Sequence, residues 1–239
     1  MSGHSKWATI HRKKGELDAA RGKIFQKIAK EIYVAAKGTN GDPDSNPALR
    51  AVIEKARGNN MPKENIQKAI DKAIGTGDAE NYEQVRYEGY ASGGVALMID
   101  CLTDNRNRTA MLVRSTLTKK GGNLGTDGSV SYLFERKGVI VIDKKLDEDT
   151  IMLTALDNGA VDVVVNDDSY EIYTTTDSFL KVKDALEILG VKEFITSEIT
   201  FIAKNTINLD DETKEKVLEL VEQLDDLDDV QNVYHNLEV

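Results

Sequence analysis

One cysteine, one tryptophan and three prolines are all that these 239 residues hold of those types, and each scarcity excludes something. A lone Cys101 rules out an intramolecular disulfide, which fits a reducing, cytoplasmic setting. It lies in an apolar run and reads as a small buried hydrophobe. Three histidines, His4, His11 and His235, together with that cysteine have no ligand spacing, so neither a zinc site nor any other metal or cofactor is expected. No stretch approaches the roughly eighteen apolar residues that a bilayer crossing needs, so no membrane partner is expected. The N-terminus has no hydrophobic core segment of the secretory kind, and helical periodicity begins too early for a transit peptide. Catalytic constellations are missing as well. None of the histidines sits in a nucleophile context. The acid pairs Asp167-Asp168 and Asp225-Asp226 read as turn and helix-end solvation, not as a glycosidase pair.

Acid is absent from the first fifteen residues, and this is where function starts to show. Met1 to Gly15 carry Lys6, Arg12, Lys13, Lys14, two histidines and the single tryptophan, Trp7. The whole chain has a formal net charge of −10. Residues 1–77 hold 15 Lys and Arg against 8 Asp and Glu, a balance of +7; residues 78–239 hold 16 against 33, a balance of −17. A basic, aromatic-bearing front on an acidic body is steered end-on toward a polyanion. The plainer reading is a surface charged for solubility.

All three prolines, Pro43, Pro47 and Pro62, fall where the period is helical. From Asp18 to Lys37, Ile24, Ile28, Ile32 and Ala35 share one face. Lys23, Lys27, Lys30 and Lys37 share the opposite one, within about 80° of arc at roughly 100° per residue. The plainer reading is a solvated lysine face. Asn46-Pro47 predicts a capped helix to about Gly58 on Leu49, Val52, Ile53 and Ala56. A third helix starts near Pro62 on Ile66, Ala69, Ile70 and Ala73, with Lys68 and Lys72 outward, and stops at Gly75. This is a three-helix module over 18–75.

After a linker at 75–81 the period becomes two. Strands are expected at Val85–Gly89 and Val95–Cys101, then a helix over Asn105–Lys120 on Ala110, Val113 and Leu117. A hairpin around Lys137-Gly138 would join Val130–Phe134 to Val139–Ile142. Helices near 147–158, 178–189 and 211–224 alternate with strands near 161–165, 170–175, 193–203 and 229–236. The last helix would bury Leu218, Val221 and Leu224. The fold class is α+β multidomain, and the element count fits two small ferredoxin-like units.

Two motifs suggest chemistry. In Asp104-Asn105-Arg106-Asn107-Arg108-Thr109, Asp104 or Thr103 can cap the first turn. Arg106 and Arg108 then occupy the positive end of the helix, a placement that makes sense if phosphate completes the site. The plainer reading pairs these arginines with neighbouring acids. Gly121-Gly122-Asn123-Leu124-Gly125-Thr126-Asp127-Gly128 is glycine-rich, but it leaves a helix and enters a strand, the reverse of a phosphate loop. A helix C-cap at Gly121 or Gly122 is the better reading.

In combination these segments resemble one family. The chain opens Gly3-His4-Ser5-Lys6-Trp7 and continues with Arg21-Gly22-Lys23-Ile24-Phe25. It then carries Tyr87-Glu88-Gly89-Tyr90, Gly93-Gly94-Val95, Cys101 through Thr109, Gly121 through Gly125, and Gly128-Ser129-Val130 through Phe134 to Gly138. Nearly the whole chain is similar to the bacterial YebC family, related to a mitochondrial translational activator of a cytochrome oxidase subunit. Ala91-Ser92 departs from the Gly-Pro of many members. The resemblance implies an N-terminal helical domain at 1–78, a middle α/β domain at 79–128 plus 204–239, and a third domain at 129–203 inserted in the second. It also implies a regulator of gene expression. Some members are described as DNA-binding transcriptional regulators, others as acting on translation at the ribosome, including at stalls on proline runs.

The expectation is therefore a non-enzymatic, nucleic-acid-binding regulator, with duplex DNA or ribosomal RNA as partner and the ribosome as a further one. Lys6, Arg12, Lys13 and Lys14 would meet phosphates and Trp7 a base. Arg21, Lys23, Lys27, Lys30 and Lys37 would extend the footprint, and Arg106 and Arg108 would add a second contact. The rivals are a small-ligand enzyme site around Asp104–Thr109 and a protein-interaction adaptor.

Overall fold

The computed structural model describes residues 18–75 and 81–238 of the protein. Three helices come first: α1 (Asp18–Ala36), α2 (Pro47–Gly58) and α3 (Lys63–Ile74). Asn46 caps α2 by accepting from the Leu49 N–H, and Pro47 fills the first helical position, where no amide hydrogen is needed. Ile28, Ile32, Leu49, Ile53, Ala56, Ile66 and Ile70 form one buried cluster, so the apolar stripes read from the period do meet.

The chain divides into two compact units. Tyr132–Thr206 forms one; the described residues up to Ser131, with Ile207–Glu238, form the other. The second unit therefore joins the helical module to a sheet built from both sides of the excursion. Its strands are β1 (Glu83–Tyr90), β2 (Ala96–Thr103), the two-residue β3 (Asn123–Leu124) and β8 (Val230–His235). They are antiparallel in the order β3-β1-β2-β8. Helices α4 (Arg106–Lys119) and α7 (Asp211–Asp225) cover one face. Leu97, Ile99 and Cys101 alternate inward against Val113, Leu117, Val217, Leu220 and Leu224. On α7 the buried line is Val217, Leu220 and Leu224, with Leu218 and Val221 at its border.

The other unit runs β4 (Phe134–Asp143), α5 (Glu148–Asp157), β5 (Ala160–Val165), β6 (Ser169–Thr174), α6 (Phe179–Leu189) and β7 (Thr196–Ala203). Its antiparallel order β5-β6-β4-β7, with the βαββαβ succession, is ferredoxin-like. The hairpin expected at Lys137-Gly138 does not form. Phe134–Asp143 is one continuous strand, preceded by a single 3-10 turn at Ser131–Leu133. Gly138 sits mid-strand, where a Cβ would overlap the Thr174 hydroxyl and the Phe179 side chain. The glycine serves close packing, not a turn.

Candidate nucleic-acid interface

The arm residues Lys6, Trp7, Arg12, Lys13 and Lys14, and the side chain of Arg21, lie outside the described residues. The rest of the expected basic surface is placed, and most of it is engaged by acids of the chain itself. Helix α7 carries no cation in its last turn; it ends on Asp225, and the C-cap Asp226, Asp228 and Asp229 follow. Its negative end calls for positive charge, and α1 supplies it. Lys23 Nζ donates to Asp226 Oδ1 at 2.6 Å. Lys27 donates to the Asp225 carbonyl at 2.8 Å and to its carboxylate at 2.9 Å. Lys30 reaches the Asp228 carbonyl at 2.8 Å and Asp229 Oδ1 at 3.0 Å. The pairs grade in burial. Lys23 and Asp226 are 50% and 57% exposed, Lys27 is 15% exposed, and Lys30 and Asp229 are 20% and 7% exposed.

Asp229 is the hub. Its Oδ2 accepts from Arg108 at 2.7 Å, from Thr109 Oγ1 at 2.8 Å and from Thr103 Oγ1 at 3.3 Å. Burial alone would push this carboxyl up. The bonds from Arg108, Lys30 and Thr109 outweigh that and hold it below the usual carboxylate range. Asp229 and then Asp104 raise the Arg108 guanidinium in turn. Arg108 is thus engaged by acids, the plainer of its two readings. Helix α4 is capped by Asn105, whose side chain accepts from the Arg108 N–H, one residue later than the sequence suggests; Thr103 Oγ1 instead accepts the Asn105 N–H. Arg106 stays 63% exposed, with only a long 3.9 Å approach to Glu83.

Lys37 and Lys72 lie 5.9 and 5.8 Å from the Tyr33 ring centre, and Lys30 lies 5.6 Å from that of Tyr82. The two rings meet edge-on at 5.6 Å. Lys37 also donates to Asn81 Oδ1 at 2.6 Å. Sequence reasoning turned Lys72 outward without assigning it to a site. The period shows which way α3 faces, not that α1 brings an aromatic ring beside it.

Beneath the lysine stripe is an open cleft of about 530 Å³, lined by Lys30, Tyr82, Asp104, Arg108, Leu112 and Asp229. Its two cations are paired within the walls, Lys30 with Asp229 and Arg108 with Asp229 and Asp104. Among the described residues no His, Cys, Asp and Glu grouping could hold a metal ion, and no helix is long and apolar enough to cross a membrane. Burial pushes the Cys101 thiol up to about 12, so it stays protonated and unreactive in the fold.

The glycine-rich segment is structural. Gly121, at φ 77°, and Gly122 close a Schellman turn: the Gly122 N–H donates to the Leu117 carbonyl and the Gly121 N–H to that of Thr118. Gly89 opposes Leu124 in the β1–β3 ladder, where a Cβ would come within 2.5 Å of the Asn123 carbonyl oxygen. The loop that follows is tied by Glu88. Its carboxylate accepts the N–H groups of Gly128, Val130 and Ser131 at 3.0, 2.6 and 2.9 Å. Burial would raise that carboxyl, and these backbone bonds bring it below its ordinary value.

Comparison with known proteins bears on the whole chain. Residues 5–76 match the family described as TACO1/YebC protein N-terminal domain, and residues 82–237 match TACO1/YebC second and third domain. A "Probable transcriptional regulatory protein GK2594" from Geobacillus kaustophilus is 56% identical over 241 residues, covering 100% of this chain and 98% of that protein. One from Lactobacillus acidophilus, LBA0733, is 54% identical over 237 residues, covering 98% and 97%. The crystal structure of a conserved hypothetical protein, Aq1575, from Aquifex aeolicus superposes with a TM-score of 0.81 at 47% identity, covering 92% of this chain and 91% of that one.

Proposed function

The chain belongs to the TACO1/YebC family, and from that premise we propose that it is a non-enzymatic, cytoplasmic regulator of gene expression that grips nucleic acid through its N-terminal third. The observation that carries this is the charge division, +7 over residues 1–77 against −17 over the remainder. The relatives' shared name, "Probable transcriptional regulatory protein", supports the regulatory part. Lys6, Arg12, Lys13 and Lys14 neutralise phosphates, and Trp7 stacks on a base or enters a groove. Arg21, Lys37 and Lys72 widen the footprint, and Arg106 adds a contact from the middle sheet. Phosphate contacts set position and not sequence, so selectivity comes from the target's shape or from a partner.

The test is binding of the full chain to duplex DNA, and to ribosomes by co-sedimentation, across a salt series. With about six cations engaged, affinity falls by roughly three decades between about 50 and 200 mM salt. A K6Q/R12Q/K13Q/K14Q variant loses most of that affinity and most of the salt slope. Equal binding by the variant, or a slope near zero for the parent, refutes the proposal. A defined duplex footprint from purified protein identifies DNA as the target; co-sedimentation with ribosomes alone identifies ribosomal RNA.

A further inference from the structure

Lysines at three successive positions of one α1 face, Lys23, Lys27 and Lys30, each meet an aspartate in the turn between α7 and β8. We propose that this acidic turn, Asp225–Asp229, is an internal substitute for nucleic-acid phosphate: it masks the α1 lysine stripe in a closed state, and a polyanion displaces it. This rests on the nucleic-acid reading above and adds a regulatory element to it.

Three observations support the mask. First, the acceptors are of the kind a phosphate backbone would offer. Carboxylate oxygens and the main-chain carbonyls of Asp225 and Asp228 receive every one of these ammonium bonds. Second, the joint is ionic. The helical module has its own apolar cluster, and the middle sheet with α4 and α7 has another. Separating α1 from the turn therefore exposes charge and at most the edge-on Tyr33–Tyr82 contact, not a shared aliphatic core. Such a joint responds to competing ions far more than one held by apolar burial. Third, the burial gradient gives an order of opening. The Lys23–Asp226 pair lies at the exposed end and yields first; the Lys30–Asp229 pair lies at the buried end and yields last. Lys23 and Lys30 are seven residues apart, so the stripe spans about 10 Å, long enough for several phosphates of one strand. The turn holds its advantage because it is tethered beside the lysines. A nucleic acid overcomes that advantage by releasing counterions as each phosphate is neutralised.

The test compares the parent, a D225N/D226N variant and a charge-matched control, D211N/E215Q, which removes two acids from the opposite end of α7. Asp225 and Asp226 are substantially exposed, so the fold is retained, and a melting curve verifies it. Binding is read by anisotropy with a short labelled RNA and a duplex DNA of equal length. Unmasking predicts about tenfold tighter binding for D225N/D226N than for the control, since two partly exposed pairs hold roughly that much of the equilibrium. The slope of log affinity against log salt steepens by about 1.4, the share of the two freed lysines, Lys23 and Lys27, on a single strand. Adding K23Q/K27Q/K30Q to the aspartate variant abolishes both gains. If D225N/D226N binds no tighter than the control while the arm variant still loses binding, the mask is refuted and the nucleic-acid reading stands. If parent and aspartate variant both bind neither probe, that reading falls and takes the mask with it. Binding that appears only once Asp225 and Asp226 are neutralised supports both.

Discussion

Replacing Asp229 with asparagine is the sharpest test of the electrostatic account. The substitution keeps shape and removes one charge from a carboxylate only 7% exposed that receives Lys30, Arg108, Thr109 and Thr103. Breaking a buried pair by removing one partner costs about 3–5 kcal/mol, because the surviving charge stays desolvated. Here the cost is smaller. Lys30 keeps the Asp228 carbonyl, and Arg108 keeps Asp104 and is 44% exposed, so both cations retain a partner or water. Losing two charge-assisted bonds while the asparagine oxygen still accepts from one donor leaves a cost of about 2–3 kcal/mol. Because the protein has two compact units, a single melting temperature would blend their transitions. Native-state hydrogen exchange resolves them: α1 and β8 amides should lose protection by that amount, and those of β4–β7 should not. D226N, at the exposed end of the same series, should leave exchange almost unchanged. If the two substitutions cost the same, burial does not set the strength of these pairs and the reasoning is wrong.

Other outcomes follow from the same contacts. Glu88→Gln should cost about 2 kcal/mol, since one amide oxygen cannot replace a carboxylate that accepts three N–H groups, and the Gly128, Val130 and Ser131 amides should exchange faster. Asp229 and Glu88 both titrate below their ordinary range in the fold. The unfolded chain protonates them near about pH 4, so it binds more protons in the window just below that value. Their contribution is therefore complete above about pH 4 and is lost as the pH falls through the folded values. E88Q and D229N should each flatten the acid limb of a stability–pH curve. Gly89→Ala drives a Cβ toward the Asn123 backbone and should destabilise by about 1–3 kcal/mol. Gly22→Ala, at an exposed α1 position with open space around it, should stabilise by about 0.5–1 kcal/mol; urea titration separates the two signs. Cys101 should resist alkylation at neutral pH until urea unfolds the middle sheet.

Most elements were legible because their signals are local. Ile28, Ile32, Leu49 and Ile53 mark helix faces by spacing, and Asn46-Pro47 announces its own helix. The strands around Leu97, Ile99 and Cys101 declare themselves by alternation and by β-branched neighbours. Failures occurred where meaning depends on something distant. Lys137-Gly138 looks like a turn until Thr174 and Phe179 are seen to leave no room for a Cβ. The two-residue β3 exists only because Gly89 lets Asn123 approach. The candidate site shows the same limit. The period aligned Lys23, Lys27 and Lys30 on one face, but nothing near them in sequence says that acids about 200 residues later wait opposite. Arg108 pointed to phosphate by its place at a helix start, whereas Asp229, in the turn before β8, claims it. Ion pairing across long separations leaves no periodic trace, so charge direction was readable and charge partnership was not.

The strand order β3-β1-β2-β8 also sets a timetable for synthesis. β2 is made early, yet the neighbour that pairs Leu97 with His235 leaves the ribosome only after the whole of Tyr132–Thr206. The excursion can finish folding while its host still has an open edge and lacks α7. Throughout that interval the aspartates of 225–229 do not yet exist, so every newborn copy passes through a stage in which its α1 lysines have not yet met those acids and lie close to the most abundant phosphate polymer in the cell.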